Sequence, residues 1–541
     1  MLDYSRFQKP QRYIGNEWNV VRKTHDGRIP VCIGYPDIYD VGMSNVGLRI
    51  IYGLLNSSDA MVCERVFLPG PDYIAYLLTQ HRLLCSLETK TPLREFQVLG
   101  FNLSCELNAT NVLRMLELSG IERRALNRTD LIVIGGGVAN PEPMAAFFDV
   151  FCLGEFEEVA LEFIRILQRH PDKEARLAAL SCIPGFYVPA FYRHTRHAGG
   201  YSVEKSYGAA QFPLRRAYVK SLDEAYYPIA WLVPHTSIVH DRVQIEIARG
   251  CPNRCTFCQA RGLYHPYRVR SPQVIGNLLR SMYAQTGYED FSFLALSASD
   301  YPGIENLVDE TIDYCRERAI GLSLPSLRID DIIGGLYRKL IPLKKTSLTC
   351  AVEVAGDGLR ESLNKKIDVR KLFEAAHILR SLKVGHLKLY FMFGFPGETE
   401  DDLIAIGTFL RELQGRSRLS LNVSINAFVP KPFSLWENVP MIGIEHLLDK
   451  RTTILRNIPS SRWFDVSIAP LERTILEAVI CRADRRFAGV IERIFLNEEA
   501  SGGLEQNLAW NAWQEAMCNE GIDYQEYLAA GDKTHPWSHI E

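Results

Sequence analysis

Long apolar runs are missing from this sequence, and so is any large excess of charge of one sign. No stretch approaches the roughly 18 consecutive apolar residues that span a bilayer. The opening segment, residues 1–19, is polar and aromatic and lacks the apolar core of a secretory signal. A soluble, cytoplasmic protein without membrane insertion is therefore expected. The net charge of −3 excludes a broad basic face for nucleic acid and leaves room only for a local basic groove. A disulfide framework is also lacking. Of thirteen cysteines, ten stand singly (Cys32, Cys63, Cys85, Cys105, Cys152, Cys182, Cys315, Cys350, Cys481 and Cys518) and read as small buried hydrophobes kept reduced in a cytosol. There is no dinucleotide fingerprint either: in Gly135-Gly136-Gly137-Val138-Ala139-Asn140, asparagine stands where the third glycine is needed.

What is present divides the chain. At 541 residues it exceeds one ordinary core, and two to four domains are expected. After an extension at 1–29, residues 30–170 alternate short apolar runs (30–35, 98–103, 131–135, 150–153) with amphipathic stretches (47–56, 73–80, 108–119, 155–168). This beat predicts an α/β domain with a doubly wound, Rossmann-like parallel sheet. Its ligand would lie at the carboxyl ends of the strands, where Ser104, Gly135, Gly136, Gly154 and Glu155 fall. Residues 171–240, rich in proline and aromatics, read as connecting segments. Within them His194 and His197 can be a metal pair or a solvated basic turn, and the turn is the expectation. Over 241–432 the alternation returns with six strands (243–248, 291–296, 321–324, 347–352, 387–393, 419–425) and intervening helices. That pattern predicts a partial (β/α)6 TIM-like barrel with its chemistry at the carboxyl strand ends. Residues 433–541 read as a mainly helical region, in which Trp510 and Trp513 form a packing face.

Directly after the first barrel strand comes Cys251-Pro252-Asn253-Arg254-Cys255-Thr256-Phe257-Cys258. Three soft ligands on one short loop suit an iron–sulfur cluster or a zinc ion. A cluster held by three thiolates keeps one iron open for a non-protein ligand. A zinc site would need a fourth ligand, with His265 the candidate, but zinc motifs more often come as C-x2-C pairs.

The C-x3-C-x2-C spacing after a barrel's first strand resembles the signature of the radical SAM superfamily. That resemblance implies a [4Fe–4S] cluster on Cys251, Cys255 and Cys258, with S-adenosylmethionine on the open iron. It also implies cleavage of S-adenosylmethionine to a 5′-deoxyadenosyl radical that abstracts hydrogen, and a reductant such as flavodoxin or ferredoxin. Positions matching the family's S-adenosylmethionine contacts are Phe257, Ser297, Ser299, Ser323, Arg328, Glu353, Gly394 and Pro396. A doubly wound domain ahead of such a barrel resembles the B12-binding type, an uncharacterised bacterial family, which implies cobalamin near Ser44, Gly47, Ser104, Gly135, Gly136, Gly154 and Glu155. Similar stretches run from Tyr35-Pro36-Asp37 through Gly47, and include Glu64–Phe67, Leu389–Met392, Phe428–Pro432 and Pro536-Trp537. With cobalamin, the implied reaction is methyl transfer to an unactivated carbon. One departure stands out: Asp37-Ile38-Tyr39-Asp40-Val41-Gly42 carries tyrosine where the D-x-H-x-x-G motif has its cobalt-ligating histidine.

Other readings stay open. Without cobalamin, the chain would be a radical SAM enzyme performing modification, oxidation or sulfur insertion on RNA or another substrate. Arg249, Arg254, Arg261, Arg268 and Arg270, with Tyr264 and Tyr267, are the candidate RNA contacts. A zinc-binding structural protein is the remaining alternative. The substrate itself is not legible in the sequence.

Overall fold

Two parallel sheets' worth of apolar strands account for most of the buried core. The structure, a computed structural model, describes residues 3–325, 327–343, 348–501, 509–529, 531 and 533–541. The N-terminal sheet comprises β1 (Ile29–Tyr35), β2 (Met61–Phe67), β3 (Val98–Asn102), β4 (Ile132–Gly136), β5 (Val150–Cys152) and β6 (Phe186–Tyr187). Its order is β2-β1-β3-β4-β5-β6, parallel except for the last pair. Strand order reverses between β1 and β3, the switch point at which a doubly wound sheet leaves a crevice.

The sequence reading missed β2, whose centre holds Glu64 and Arg65. Every residue of this strand is buried. Glu64 accepts from His25 Nε2 at 2.7 Å and Thr89 Oγ1 at 2.8 Å, while Arg65 pairs with Glu17 at 2.9 Å and Glu88 at 2.6 Å. Partners supplied by distant segments let charged residues occupy a strand buried on both faces.

Residues 171–240 hold more than connections. They contain the helix Lys173–Leu180, strand β6 and an antiparallel ribbon of β7 (Tyr192–His197) and β8 (Gly200–Lys205). Beyond them lie β9 (Val243–Glu246) and the short pair β10 (Ala248–Arg249) and β11 (Arg268–Val269). The barrel continues with β12 (Asp290–Leu294), β13 (Gly321–Ser323), β14 (Leu348–Glu353), β15 (His386–Phe393), β16 (Ser420–Ala427) and β17 (Phe464–Ile468). Ser347, expected in the fourth barrel strand, lies outside the described residues.

The barrel strands form two parallel sheets, β9-β12-β13 and β14-β15-β16-β17. Among the described residues the six expected strands are present, and β17 adds a seventh. The C-terminal region is mainly helical but contributes β17, whose alternation Phe464-Asp465-Val466-Ser467-Ile468 is a legible strand signal. Along β15 and β16, Leu387, Leu389, Phe391, Leu421, Val423 and Ile425 are all fully buried or nearly so. The helices Arg370–Ser381, Glu400–Ser417 and Ile444–Asn457 come after β14, β15 and β16 respectively and bury Leu372, Leu379, Leu403, Leu410 and Leu447. The alternate residues, Lys388, Tyr390, Asn422, Ser424 and Asn426, are partly or fully exposed.

Cys182 and Cys518 are exposed, against expectation, whereas Cys32, Cys63, Cys152, Cys315, Cys350 and Cys481 are buried. Trp510 and Trp513 are both buried and make aromatic contacts with Tyr524 and Phe487. Among the described residues, no helix is long and apolar enough to cross a membrane.

Arg65→Ala would leave Glu17 and Glu88 buried without their cation, and a loss of about 3–5 kcal/mol is expected. Burial pushes the Glu17 carboxyl up, but Arg65 outweighs this and holds it at about 2, below its ordinary 4.5. The folded value lies below the unfolded one, so this stabilisation is complete at neutral pH and fades as pH falls from 4.5 toward 2. Urea-unfolding midpoints should differ strongly between wild type and variant at pH 7, and the gap should narrow at pH 3.

Candidate functional site

The cysteine loop is an excursion closed at its base by β10 and β11, which pair Ala248 with Val269 and Arg249 with Arg268. Cys251, Cys255 and Cys258 are all partly buried on it. Two sets of contacts fix the loop. On one side Asn253 Nδ2 donates to Cys251 Sγ at 3.5 Å and to Asp300 Oδ2 at 2.5 Å. Asp300 also accepts from Ser297 Oγ at 2.7 Å and from Arg328 at 2.9 Å, and its carbonyl accepts from Tyr267. On the other side the Thr256 amide donates to the Leu363 carbonyl, the Trp436 amide to the Thr256 carbonyl, and Asn364 to the Arg254 carbonyl. Burial raises the Cys255 thiol, while Lys365 opposes that shift.

Three thiols on one short loop suit a cluster with one open position. Among the described residues, the one trio of ligating groups within 4.8 Å of one another lies elsewhere, so the three sulfurs are not all within that distance of each other. With zinc–sulfur bonds of about 2.3 Å, one ion would draw its ligands closer. His265, the candidate zinc ligand, is exposed.

Ser297, Ser299 and Arg328 come together beside the loop. Ser299 Oγ accepts from the Arg328 amide at 2.6 Å, and Asp300 is the hub that joins Ser297, Arg328 and Asn253. Ser297, Ser323 and Arg328, with Asn253 and Cys255, line a barrel cavity of about 800 Å³. Neither Asn253 nor Asp300 was singled out from the sequence. Their signal was the position of an amide inside the cysteine loop and an acid closing a strand end.

The other expected contacts sit differently. Glu353 is buried at φ +68° and pairs with Lys365 at 3.1 Å. Gly394, at φ +86°, donates its amide to Glu398, which holds Lys450 at 2.9 Å. Pro396 is exposed. Phe257 lies 6.2 Å from Phe395 at the edge of an apolar cluster with Leu363 and Phe428. These four do not line the barrel cavity.

A second cavity, of about 410 Å³, opens between the N-terminal sheet and the helices Val46–Asn56 and Phe156–Arg169. Ile33, Gly100, Ile134 and Cys152 form its floor, and Ile50, Phe156 and Phe163 its roof. A Cβ at Gly100 would meet Ile134 and Ile33 at 3.5 and 3.6 Å, ordinary contact distances, so glycine here keeps space rather than relieving strain. Gly154 is different: at φ +98° its Cβ would lie 2.1 Å from the Ala217 carbonyl oxygen. Gly47, Ser104, Gly135, Gly136, Gly154 and Glu155 all line this cavity.

Ser44 does not line it. Its hydroxyl donates to the Asp40 carbonyl and accepts from the His240 amide, both backbone contacts. Tyr39 is also absent from the lining: it is buried against Phe67 with its hydroxyl on Glu17 at 2.9 Å. The tyrosine in the D-x-H-x-x-G frame thus serves the Glu17–Arg65 network.

The cavity mouth is joined to the cysteine loop through charge. Glu155 receives Arg268 at 2.8 Å, Arg249 at 2.9 Å and the Val219 amide at 2.7 Å. Arg249 also meets Glu157 and Glu246, each at 2.8 Å. Burial pushes the Glu155 carboxyl up, but these donors outweigh it and hold it below the usual range. Arg270 is buried and donates to the carbonyls of Leu222 and Glu246. The arginines of the alternative RNA-binding reading are therefore largely committed inside the protein: Arg249, Arg268 and Arg270 each satisfy internal acceptors.

Residues 245–410 match the family described as the radical SAM superfamily, and residues 47–189 the family described as radical SAM proteins, N-terminal. The uncharacterized protein MJ0966 of Methanocaldococcus jannaschii is 27% identical over 411 residues, covering 75% of this chain and 79% of that protein. The ribosomal protein uS12 methylthiotransferase RimO of Nitratiruptor sp. is 23% identical over 249 residues, 44% of this chain and 54% of that protein. Among solved structures, the radical S-adenosylmethionine methyltransferase TsrM from Kitasatospora setae aligns with TM-score 0.49 at 12% identity, covering 76% of this chain and 75% of that one. The cobalamin-dependent S-adenosylmethionine radical enzyme OxsB aligns with TM-score 0.49 at 12% identity, covering 92% and 72%. With its three-thiol loop at the end of the first barrel strand and both family matches in place, the chain belongs to the radical SAM superfamily of enzymes.

Proposed function

We propose that this protein is a cobalamin-dependent radical SAM methyltransferase acting on an unactivated carbon. In this reading Cys251, Cys255 and Cys258 hold a [4Fe–4S] cluster, the barrel cavity takes S-adenosylmethionine and substrate, and the N-terminal cavity takes cobalamin. A small reductant protein such as flavodoxin or ferredoxin would supply electrons. The observation that carries this reading is that the two cavities share a wall: Leu294 and Leu296, at the carboxyl end of β12, line both. A ligand in each would meet beside the cysteine loop.

The residues present fit these groups. Three thiols on one short loop match a cluster that keeps one iron open. The barrel side offers Ser297, Ser323 and Arg328 as hydrogen-bonding groups. The N-terminal side offers an apolar slot floored by a glycine and a polar, glycine-lined mouth, as a bulky ligand with an apolar tail requires. When bound, cluster and S-adenosylmethionine supply hydrogen abstraction and cobalamin supplies the methyl group. The protein's own part is positioning. Asp300 holds Asn253 against Cys251, and Arg249 anchors the chain two residues before that ligand to Glu155 and Glu157 of the N-terminal domain. Leu294 and Leu296 keep the meeting point apolar.

Anaerobic reconstitution with iron, sulfide, S-adenosylmethionine and cobalamin is the direct test. About four irons per chain are expected, with 5′-deoxyadenosine formed under reduction. Replacing Cys251, Cys255 and Cys258 by alanine should remove both, and zinc in place of iron in the wild type would sink the radical reading. Gly100→Leu should fold normally, because the added atoms enter the cavity, yet weaken cobalamin binding at least about tenfold. Undiminished cobalamin binding in that variant would place the cofactor elsewhere, and no cobalt in the wild type would remove methyl transfer while leaving the radical enzyme. Asp300→Ala releases three side chains beside the loop, and amide exchange over residues 251–258 should rise about tenfold or more, in line with about 1.5–3 kcal/mol for a charge-assisted hydrogen bond. Unchanged exchange would deny Asp300 its positioning role.

A further inference from the structure

A buried polar cluster that neither cavity uses lies where the N-terminal sheet, the β7–β8 ribbon and the C-terminal tail meet. Its centre is Glu142, which is 0% exposed. One carboxylate oxygen accepts from the Tyr187 hydroxyl at 2.5 Å, and the other from Arg485 Nε at 2.6 Å. His194 Nε2 lies 3.4 Å from Glu142 Oε2 and 3.4 Å from the Tyr187 hydroxyl. His539 Nε2 lies 3.7 Å from Glu142 Oε1. One ligating atom from each of Glu142, His194 and His539 falls within 4.8 Å of the other two. His539 is only 4% exposed, and its Nε2 has no hydrogen-bond partner.

The separations discriminate between occupants of the space between these atoms. Direct hydrogen bonds would bring nitrogen and oxygen to about 2.7–3.2 Å, and both imidazoles stand outside that range. Atoms bridged tetrahedrally by one water at about 2.8 Å would lie about 4.6 Å apart. Ligands held at about 2.0–2.1 Å from a tetrahedral zinc ion lie about 3.4 Å apart. The observed 3.4 Å from His194 to one Glu142 oxygen and 3.7 Å from His539 to the other lie nearest the last case.

The chemistry of the groups agrees. Each ring turns its Nε2 toward the Glu142 carboxylate, and an imidazole nitrogen of this kind is the commonest ligand of zinc-class ions. Arg485 is the opposing feature, a cation beside the carboxylate. Its guanidinium is spent on Glu142, the Tyr187 hydroxyl and the carbonyls of Tyr192 and Pro189. In that position it supports a ligating carboxylate from outside, as outer-sphere donors do. His197, the other histidine of the expected solvated turn, is three residues along the same strand and exposed, with its ring accepting from the Gly199 amide. The pair is split across the ribbon's two faces.

We propose that Glu142, His194 and His539 form a structural site for one zinc-class divalent ion, separate from the cysteine loop, which staples the C-terminal tail to the N-terminal sheet and the ribbon. The proposal is independent of what the two cavities bind.

The test uses the full chain with Cys251, Cys255 and Cys258 replaced by serine, so that the loop thiols hold no metal. After chelation, loading with zinc alone and desalting, about one zinc per chain should remain, and the melting temperature should rise with zinc. His539→Ala and His194→Ala should each cut retained zinc at least tenfold, whereas His197→Ala should retain it. Cobalt(II) loaded in place of zinc should give visible absorption of a four-coordinate site, lost in the same two variants. Because the two histidines sit on different segments, a variant that fails to fold is replaced by the other. No retained zinc in the serine-substituted chain, or retention unchanged in both histidine variants, would overturn the proposal and leave Glu142 as the partner of Arg485 and Tyr187.

Discussion

Glu155 carries the contact on which the relation between the two halves of the protein depends. It stands at the start of the helix Phe156–Arg169, at the carboxyl end of the N-terminal sheet, and holds Arg249 and Arg268 from the base of the cysteine loop. Glu157 and Glu246 complete the coordination of Arg249. Buried ion pairs of this kind give little net stability against apolar replacements, because desolvation offsets the attraction. Their geometry is nevertheless demanding, since each guanidinium must meet its acceptors in plane. The network therefore fixes orientation more than it adds stability. It sets the mouth of one cavity against the loop that borders the other.

The barrel shows a complementary division. Its outward residues on β15 and β16 are buried apolar side chains under three helices, while the inward positions are polar and accessible. Register aligns them in rows, Lys388 with Asn422 and Asp465, then Tyr390 with Ser424 and Ser467. A barrel filled by layers of branched apolar side chains is a core. This one keeps a lumen, and the split between its two sheets lies beside the large cavity. The same period-two alternation that closes the outside leaves Tyr390 on the lining of that cavity.

Much of this was legible in the sequence because it is local. Strand and helix periods are set by neighbours two to four residues apart, and nearly every apolar run in 30–170 and 241–432 became the element its period implied. Most of what was missed depends on partners far along the chain. Strand β2 was hidden by Glu64 and Arg65, whose partners His25, Thr89, Glu17 and Glu88 are distributed over other segments. Strand β17 was overlooked because helical patterns surround its five residues. The arginines read as a nucleic-acid face are absorbed by Glu155, Glu157 and Glu246. His194 looked solvated beside His197, yet the strand turns it inward.

The sequence by itself determined the alternation of elements, the apolar faces and the thiol spacing of Cys251, Cys255 and Cys258, since these follow from short-range geometry and ligand chemistry. Only the tertiary structure decided which polar residues remain available. Glu155 meets Arg268 across 113 positions and Glu142 meets Arg485 across 343. A charge at a strand end reads the same in sequence whether it faces a ligand or a distant counterion. Ser44, Tyr39 and Glu353 were committed to the protein's own contacts by folding, and Asn253 and Asp300 were brought beside Cys251, because burial demands that every such group find a partner.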